Sequence, residues 1–137
     1  MEATVLGMPV LTIAQMAVAA QLSILFVQSG LDKVFDYRGN KSYLTGHFKG
    51  SLLDGQVPYM LPVITALEVA AGFVSLAGLF FLFQGNSRVA LYGSLLAMAA
   101  FLSLFFGQRV AKDYGGAATL VPYMTFNLIG MALLALE

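Results

Sequence analysis

Residues 69–108 read VAAGFVSLAGLFFLFQGNSRVALYGSLLAMAAFLSLFFGQ, and this stretch decides the fold. Its single charge is Arg88, with an uncharged run on either side and the polar tetrad Gln84-Gly85-Asn86-Ser87 just before it. A helix needs about 20 apolar residues to cross the hydrocarbon of a bilayer. Each run is of that length and neither alternates with period two, so helices rather than barrel strands are expected. The reading is a helical hairpin that crosses a membrane twice around a tight turn at 84–87.

Working outward, residues 3–31 and 114–136 are also free of charge. The charges therefore predict four transmembrane helices, at about 9–33, 58–83, 88–110 and 117–136. They form one all-α transmembrane domain over residues 1–137, a four-helix bundle. The last two helices are expected to turn at Gly115-Gly116. Ala17-Val18-Ala19 has the small residues of a signal cleavage site, but the apolar run continues to Leu31, too long for a signal sequence, and no basic residue precedes it. An uncleaved first helix is expected.

Composition agrees. Of 137 residues, 59% are hydrophobic and 10% charged, against about 25% charged in soluble domains. Too few charges remain to cover a water-facing surface, so the bilayer is the expected solvent. The net charge is zero, and no basic excess points to nucleic acid. Cysteine is absent and histidine occurs once, at His47. Disulfides, thiolate metal sites, Cys-ligated iron–sulfur clusters and a bis-His haem within one chain are thereby excluded. No metal site is expected, and the chain is not expected to be an enzyme on its own.

The only long connection, about 36–57, mixes Tyr37, Tyr43, Leu44, Phe48, Leu52 and Leu53 with Arg38, Lys41 and Lys49. That blend suits a segment lying in the membrane interface; an ordinary surface loop is the plainer alternative. Lys33, Arg38, Lys41, Lys49, Arg109 and Lys112 all fall on the side of this connection, and Arg88 alone on the other. The positive-inside rule then places both termini outside. Val57-Pro58-Tyr59-Met60 recurs as Val121-Pro122-Tyr123-Met124, each read as opening a helix. The echo suggests two hairpins related by a pseudo-two-fold along the membrane normal, or the reuse of residues that suit a helix start.

Membrane helices meet through small and polar residues. The expected inward stripes are Ala14, Ala17, Gln21, Gln28 and Asp32 on the first helix, and Thr65, Glu68, Gly72 and Ser75 on the second. On the third they are Gly93, Ala97, Ala100 and Gly107, and on the fourth Thr119, Tyr123 and Asn127. Glu68 carries the most information. A carboxylate deep in a membrane helix costs about 2.5–3.5 kcal/mol even on lenient scales, so it should face inward and find a partner or carry a proton. Lys33 and Arg109 are the cationic candidates, Gln28 and Asn127 the neutral ones. The functional reading is a proton-carrying or ligand-binding carboxyl; the plain reading is a bond that locks two helices together. His47 reads first as an interfacial side chain, with a hydrogen bond to a quinone or another ligand as the alternative. Asp32, Lys33, Arg109, Lys112 and Asp113 read first as helix-end anchors.

The run Phe26-Val27-Gln28-Ser29-Gly30-Leu31-Asp32-Lys33 resembles the DoxX family of small bacterial membrane proteins. So do Ala66-Leu67-Glu68-Val69-Ala70-Ala71-Gly72 and the segment from Gly107 through Gln108, Arg109, Lys112, Asp113, Tyr114 and Gly115 into Val121-Pro122-Tyr123. The resemblance covers nearly the whole chain. It implies a four-helix bundle in the bacterial cytoplasmic membrane and an accessory, quinone-linked role beside other membrane subunits or further copies of itself. Some redox relatives use cysteines that this chain lacks. With no redox-centre ligands of its own, the chain is expected to bind no cofactor alone, a quinone or lipid being compatible with the resemblance. Two other functions fit the residues: a small proton-coupled transporter, homo-oligomeric and exchanging at Glu68, and a structural or lipid-binding protein.

Overall fold

The computed structural model describes residues 3–136. A short antiparallel hairpin, β1 (Thr4–Val5) and β2 (Met8–Pro9), precedes five helices: α1 (Val10–Phe35), α2 (Tyr37–His47), α3 (Val57–Leu82), α4 (Arg88–Val110) and α5 (Tyr114–Leu134). Four of them, α1, α3, α4 and α5, are long and apolar enough to cross a membrane. The chain is an all-α, multi-pass membrane protein. In the hairpin, Leu6 and Gly7 both take positive φ, as a tight two-residue turn requires.

Helix α3 packs along both α1 and α4, and α5 lies mainly on α4 with a lesser contact to α1. Small residues set these approaches. A Cβ on Gly72 would lie 2.5 Å from the Val27 backbone nitrogen, and one on Gly30 would lie 2.8 Å from Val69. Gly78 meets Ala90, and Gly93 meets Ser75, across the α3–α4 seam. Backbones come this close only where side chains are missing, which is how membrane helices gain contact without a hydrophobic drive between them. The main core joins Leu22, Phe26, Ala71, Ala97 and Phe101.

The long connection is not a loop throughout. Asp36 closes α1 through its backbone N–H to Asp32 O, and its side chain accepts from Gly39 N at 3.3 Å to open α2. Along α2, Tyr37, Asn40, Leu44 and His47 are half-buried while the residues between them are exposed. This one-sided spacing of three and four lays α2 against the bundle. Phe48, buried at its end, rests on Gly107 of α4.

Several expectations are corrected. The fourth long helix starts at Tyr114, not near 117, so Gly115-Gly116 form its first turn and not the break. Instead, α4 ends through Lys112, in the left-handed region at φ 61°, and Asp113 caps α5 by accepting from Gly116 N. Pro58 stands in the first turn of α3, whereas Pro122 lies inside α5, so the repeated tetrad does not open both helices. The inward stripes of α3 and α4 are buried as expected. That of α1 is not: Ala17, Gln21, Gln28 and Asp32 are exposed, and Gln15, Ala19, Leu22, Ser23, Phe26 and Gly30 face inward. On α5, Thr119 and Tyr123 are exposed and only Asn127 of the expected stripe is buried.

Candidate functional site

Glu68 is wholly buried in the α1–α3 seam. Ser29 Oγ donates to Glu68 Oε2. Lys33 Nζ, one turn further along α1, lies 3.1 Å from the same oxygen and 3.2 Å from Ser29 Oγ. The i, i+4 spacing of Ser29 and Lys33 places both on the face that meets α3. Glu68 Oε1 is buried with no hydrogen-bond partner among the described residues, and so is Thr65 Oγ1 one turn away. A buried acid is thus matched by one base. The cluster carries no net charge, which is the condition for holding such groups in a low-dielectric interior.

The other predicted partners lie elsewhere. Gln28 points outward. The Arg109 guanidinium sits 4.5 Å from the centre of the Tyr114 ring, a cation–π contact at the exposed end of α4. Asn127 accepts from Ser94 Oγ at 2.7 Å and donates to Ser94 O at 3.1 Å, tying α5 to α4. Of the candidates, the structure brings together Glu68 and Lys33.

Lys33 also links this pair to a cavity of about 560 Å³ bounded by α2, α3 and α4. The walls are mainly apolar, with Phe48, Met60, Ile64 and Leu104 among them, and the polar atoms come from a few residues including Lys33, His47 and Gln108. His47 Nε2 and Gln108 Oε1 are 2.7 Å apart, and Asp113 Oδ2 lies 3.8 Å from the same nitrogen. A carbonyl oxygen can only accept, so Nε2 carries the hydrogen and, in a neutral ring, Nδ1 is left as an acceptor. Tyr43 stacks on the imidazole at 5.5 Å and Phe48 meets it edge-on. His47 is the last residue of α2 and Gln108 lies in the last turn of α4, where the missing side chain of Gly116 leaves room for the carboxamide: a Cβ there would lie 2.8 Å from Gln108 Nε2.

An apolar pocket with few convergent polar groups is the usual form of a small-molecule site. Lys33 already gives two of its three hydrogens to Glu68 and Ser29, so one remains for an acceptor in the cavity. A larger cavity, about 820 Å³, opens at the opposite end beside Gln15, Asn86 and Arg88. There Gln15 Nε2 is already spent on the carbonyls of Leu133 and Leu136. On sequence alone Ser29, Gln108 and Ser94 carry no site role, although Ser29 and Gln108 stand in segments that carry the resemblance and Ser29 lies one turn before Lys33. Among the described residues no group of three acidic or histidine side chains could hold a metal ion. No family model, curated protein or solved structure matches this chain.

Proposed function

We propose that the chain is a ligand-holding accessory subunit of a bacterial cytoplasmic-membrane complex, and that its ligand is a quinone. The observation that carries this reading is the apolar cavity under α2 with Lys33, His47 and Gln108 among its polar residues. A quinone has an apolar body and carbonyl oxygens that only accept, and the residues present fit it. The free hydrogen of Lys33 would meet one oxygen; the Nδ1 acceptor of His47 would serve the hydroxyl of the reduced form. Because Glu68 neutralises Lys33, the site favours a neutral head over an anionic one.

A bound quinone would supply two-electron redox capacity. This chain's own residues would bind and orient it and keep water from its body, with Glu68 and Ser29 fixing the position of Lys33. Electrons would come from a partner subunit, since the chain has no cysteine and one histidine. Membership of the DoxX family belongs to the same proposal. It is supported by the contact between two segments that carry the resemblance, the Ser29–Lys33 end of α1 and the Glu68 segment of α3. So does the orientation with both termini outside, supported by basic residues gathered at the α2 end.

The test is photoaffinity labelling of the purified protein in nanodiscs with an azido-quinone, mapped by mass spectrometry. Labelling at Tyr43, Phe48 or Leu104 is expected, with His47→Ala weakening it about tenfold, the worth of one good hydrogen bond. Label spread evenly over the lipid-facing residues would overturn the proposal. Displacement by anionic phospholipid but not by quinone would mark a lipid site instead, served by the exposed Arg38, Lys41 and Lys49.

A second reading, a proton-coupled transporter exchanging at Glu68, is favoured by one observation, the unpartnered Oε1. In liposomes, Glu68→Gln would then abolish substrate-driven proton movement, and unchanged movement would remove Glu68 from that role.

A further inference from the structure

The outward face of α1 carries polarity where a lone bundle has no use for it. Val10, Ala14, Ala17, Gln21, Ile24, Gln28, Leu31 and Phe35 alternate at spacings of four and three. Ala14 and Leu31 are half-exposed and the other six exposed, Ile24 at 70%. At about 100° per residue, this row lies half a turn from the buried Leu22 and Phe26. Gln21 sits near the middle of α1, and Gln28 about 10 Å along the axis from it. None of the described hydrogen bonds involves either carboxamide. Ser103 and Thr119, exposed on α4 and α5, are by contrast satisfied within their own helices, by Ala99 O and Gly115 O. The Gln15 carboxamide, on the inner face, has two carbonyls. A Gln near mid-membrane is too short to reach water, and hydrocarbon offers it nothing.

We infer that α1 is the contact between two copies of this chain, which pair in parallel through Ala17, Gln21, Ile24 and Gln28. The four-and-three spacing is that of a left-handed helix pair, and Gln21 and Gln28 occupy the same heptad position. Copies inserted with one topology present α1 in parallel, so each Gln meets its counterpart at equal depth. A carboxamide both donates and accepts, and is therefore complementary to itself across a two-fold axis. A different subunit would need matching polar groups at both depths. Asp32 flanks the row near the helix end, where headgroup water hydrates it. The inference rests on the membrane-spanning reading and not on the quinone site.

The chain has no cysteine, so single cysteines report cleanly. Ala17→Cys and Ile24→Cys, oxidised with copper phenanthroline in native membranes, are expected to give disulfide-linked dimers. Val63→Cys on α3 and Leu128→Cys on α5, also exposed, are expected to give few. Adding Gln21→Leu and Gln28→Leu to Ile24→Cys should lower the dimer fraction about tenfold, the combined effect of two interhelical hydrogen-bonded pairs. These substitutions leave the bundle interior untouched, so loss of folding does not obscure the result. Linkage at Ala17 and Ile24 no greater than at the controls, an unchanged yield without the glutamines, or linkage only to a different polypeptide would overturn it.

Discussion

The two faces of α1 use the same chemistry for different purposes. The inner face carries Gln15, Ser23, Ser29 and Gly30, each hydrogen-bonded within the chain or pressed against α3. The outer face carries Gln21, Gln28 and Asp32, whose side chains make no hydrogen bond to another helix among the described residues. In water, polarity marks the outside of a helix. In lipid it marks contact with protein, and it does not say whether that protein is the same chain or another.

The largest expected effect lies on the inner face. Lys33→Met leaves the Glu68 carboxylate buried beside Ser29 alone and should cost about 3–5 kcal/mol of bundle stability, the usual penalty for orphaning one member of a buried pair. Steric-trap unfolding in bicelles would measure it. The double variant Lys33→Met with Glu68→Leu should recover most of the loss; a double variant as unstable as the single would mean that Lys33 acts through something other than Glu68. Next comes Gly72→Val, whose side chain meets the Val27 backbone and should cost about 1–3 kcal/mol by overpacking. Asn127→Leu removes the tie to Ser94 and should cost roughly 1 kcal/mol. The smallest effect belongs to the outer face: Gln21→Leu should move monomer stability by less than about 0.5 kcal/mol. A large loss there would dissolve the distinction between the two faces.

The same contrast explains what could be read from the sequence. Helix positions followed from charge-free runs, because charge is expelled from hydrocarbon whatever the packing. The inner stripes of α3 and α4 were legible because their small and polar residues gather on one side: Thr65, Glu68, Gly72 and Ser75, and Gly93, Ala97 and Ala100. On α1 polar residues occur on both sides, and the regular spacing of the outer set, Gln21, Gln28 and Asp32, reads as an inward stripe. Leu22 and Phe26, which fill the core, look like lipid-facing residues, since hydrocarbon and protein interior are equally apolar. On α5, Thr119 gave a false signal because its hydroxyl is satisfied by its own helix. The Glu68–Lys33 pair could be proposed from the sequence because a buried acid must be matched. The cavity could not, since Lys33, His47 and Gln108 come together only when α2 folds back onto α3 and α4. Gly115-Gly116 misled for a related reason: Gly116 makes room for the side chains of Asp113 and Gln108 within the first turn of α5, and the pair does not break the helix.

The order of the two charges along the chain bears on biosynthesis. Lys33 leaves the ribosome before Glu68, so the cation already waits at the membrane when the acidic segment is threaded in. The nascent α3 need not enter lipid with a naked carboxylate, because the first span can act as its chaperone. Lys33→Met is therefore expected to leave α3 stalled outside the bilayer in a fraction of newly made chains.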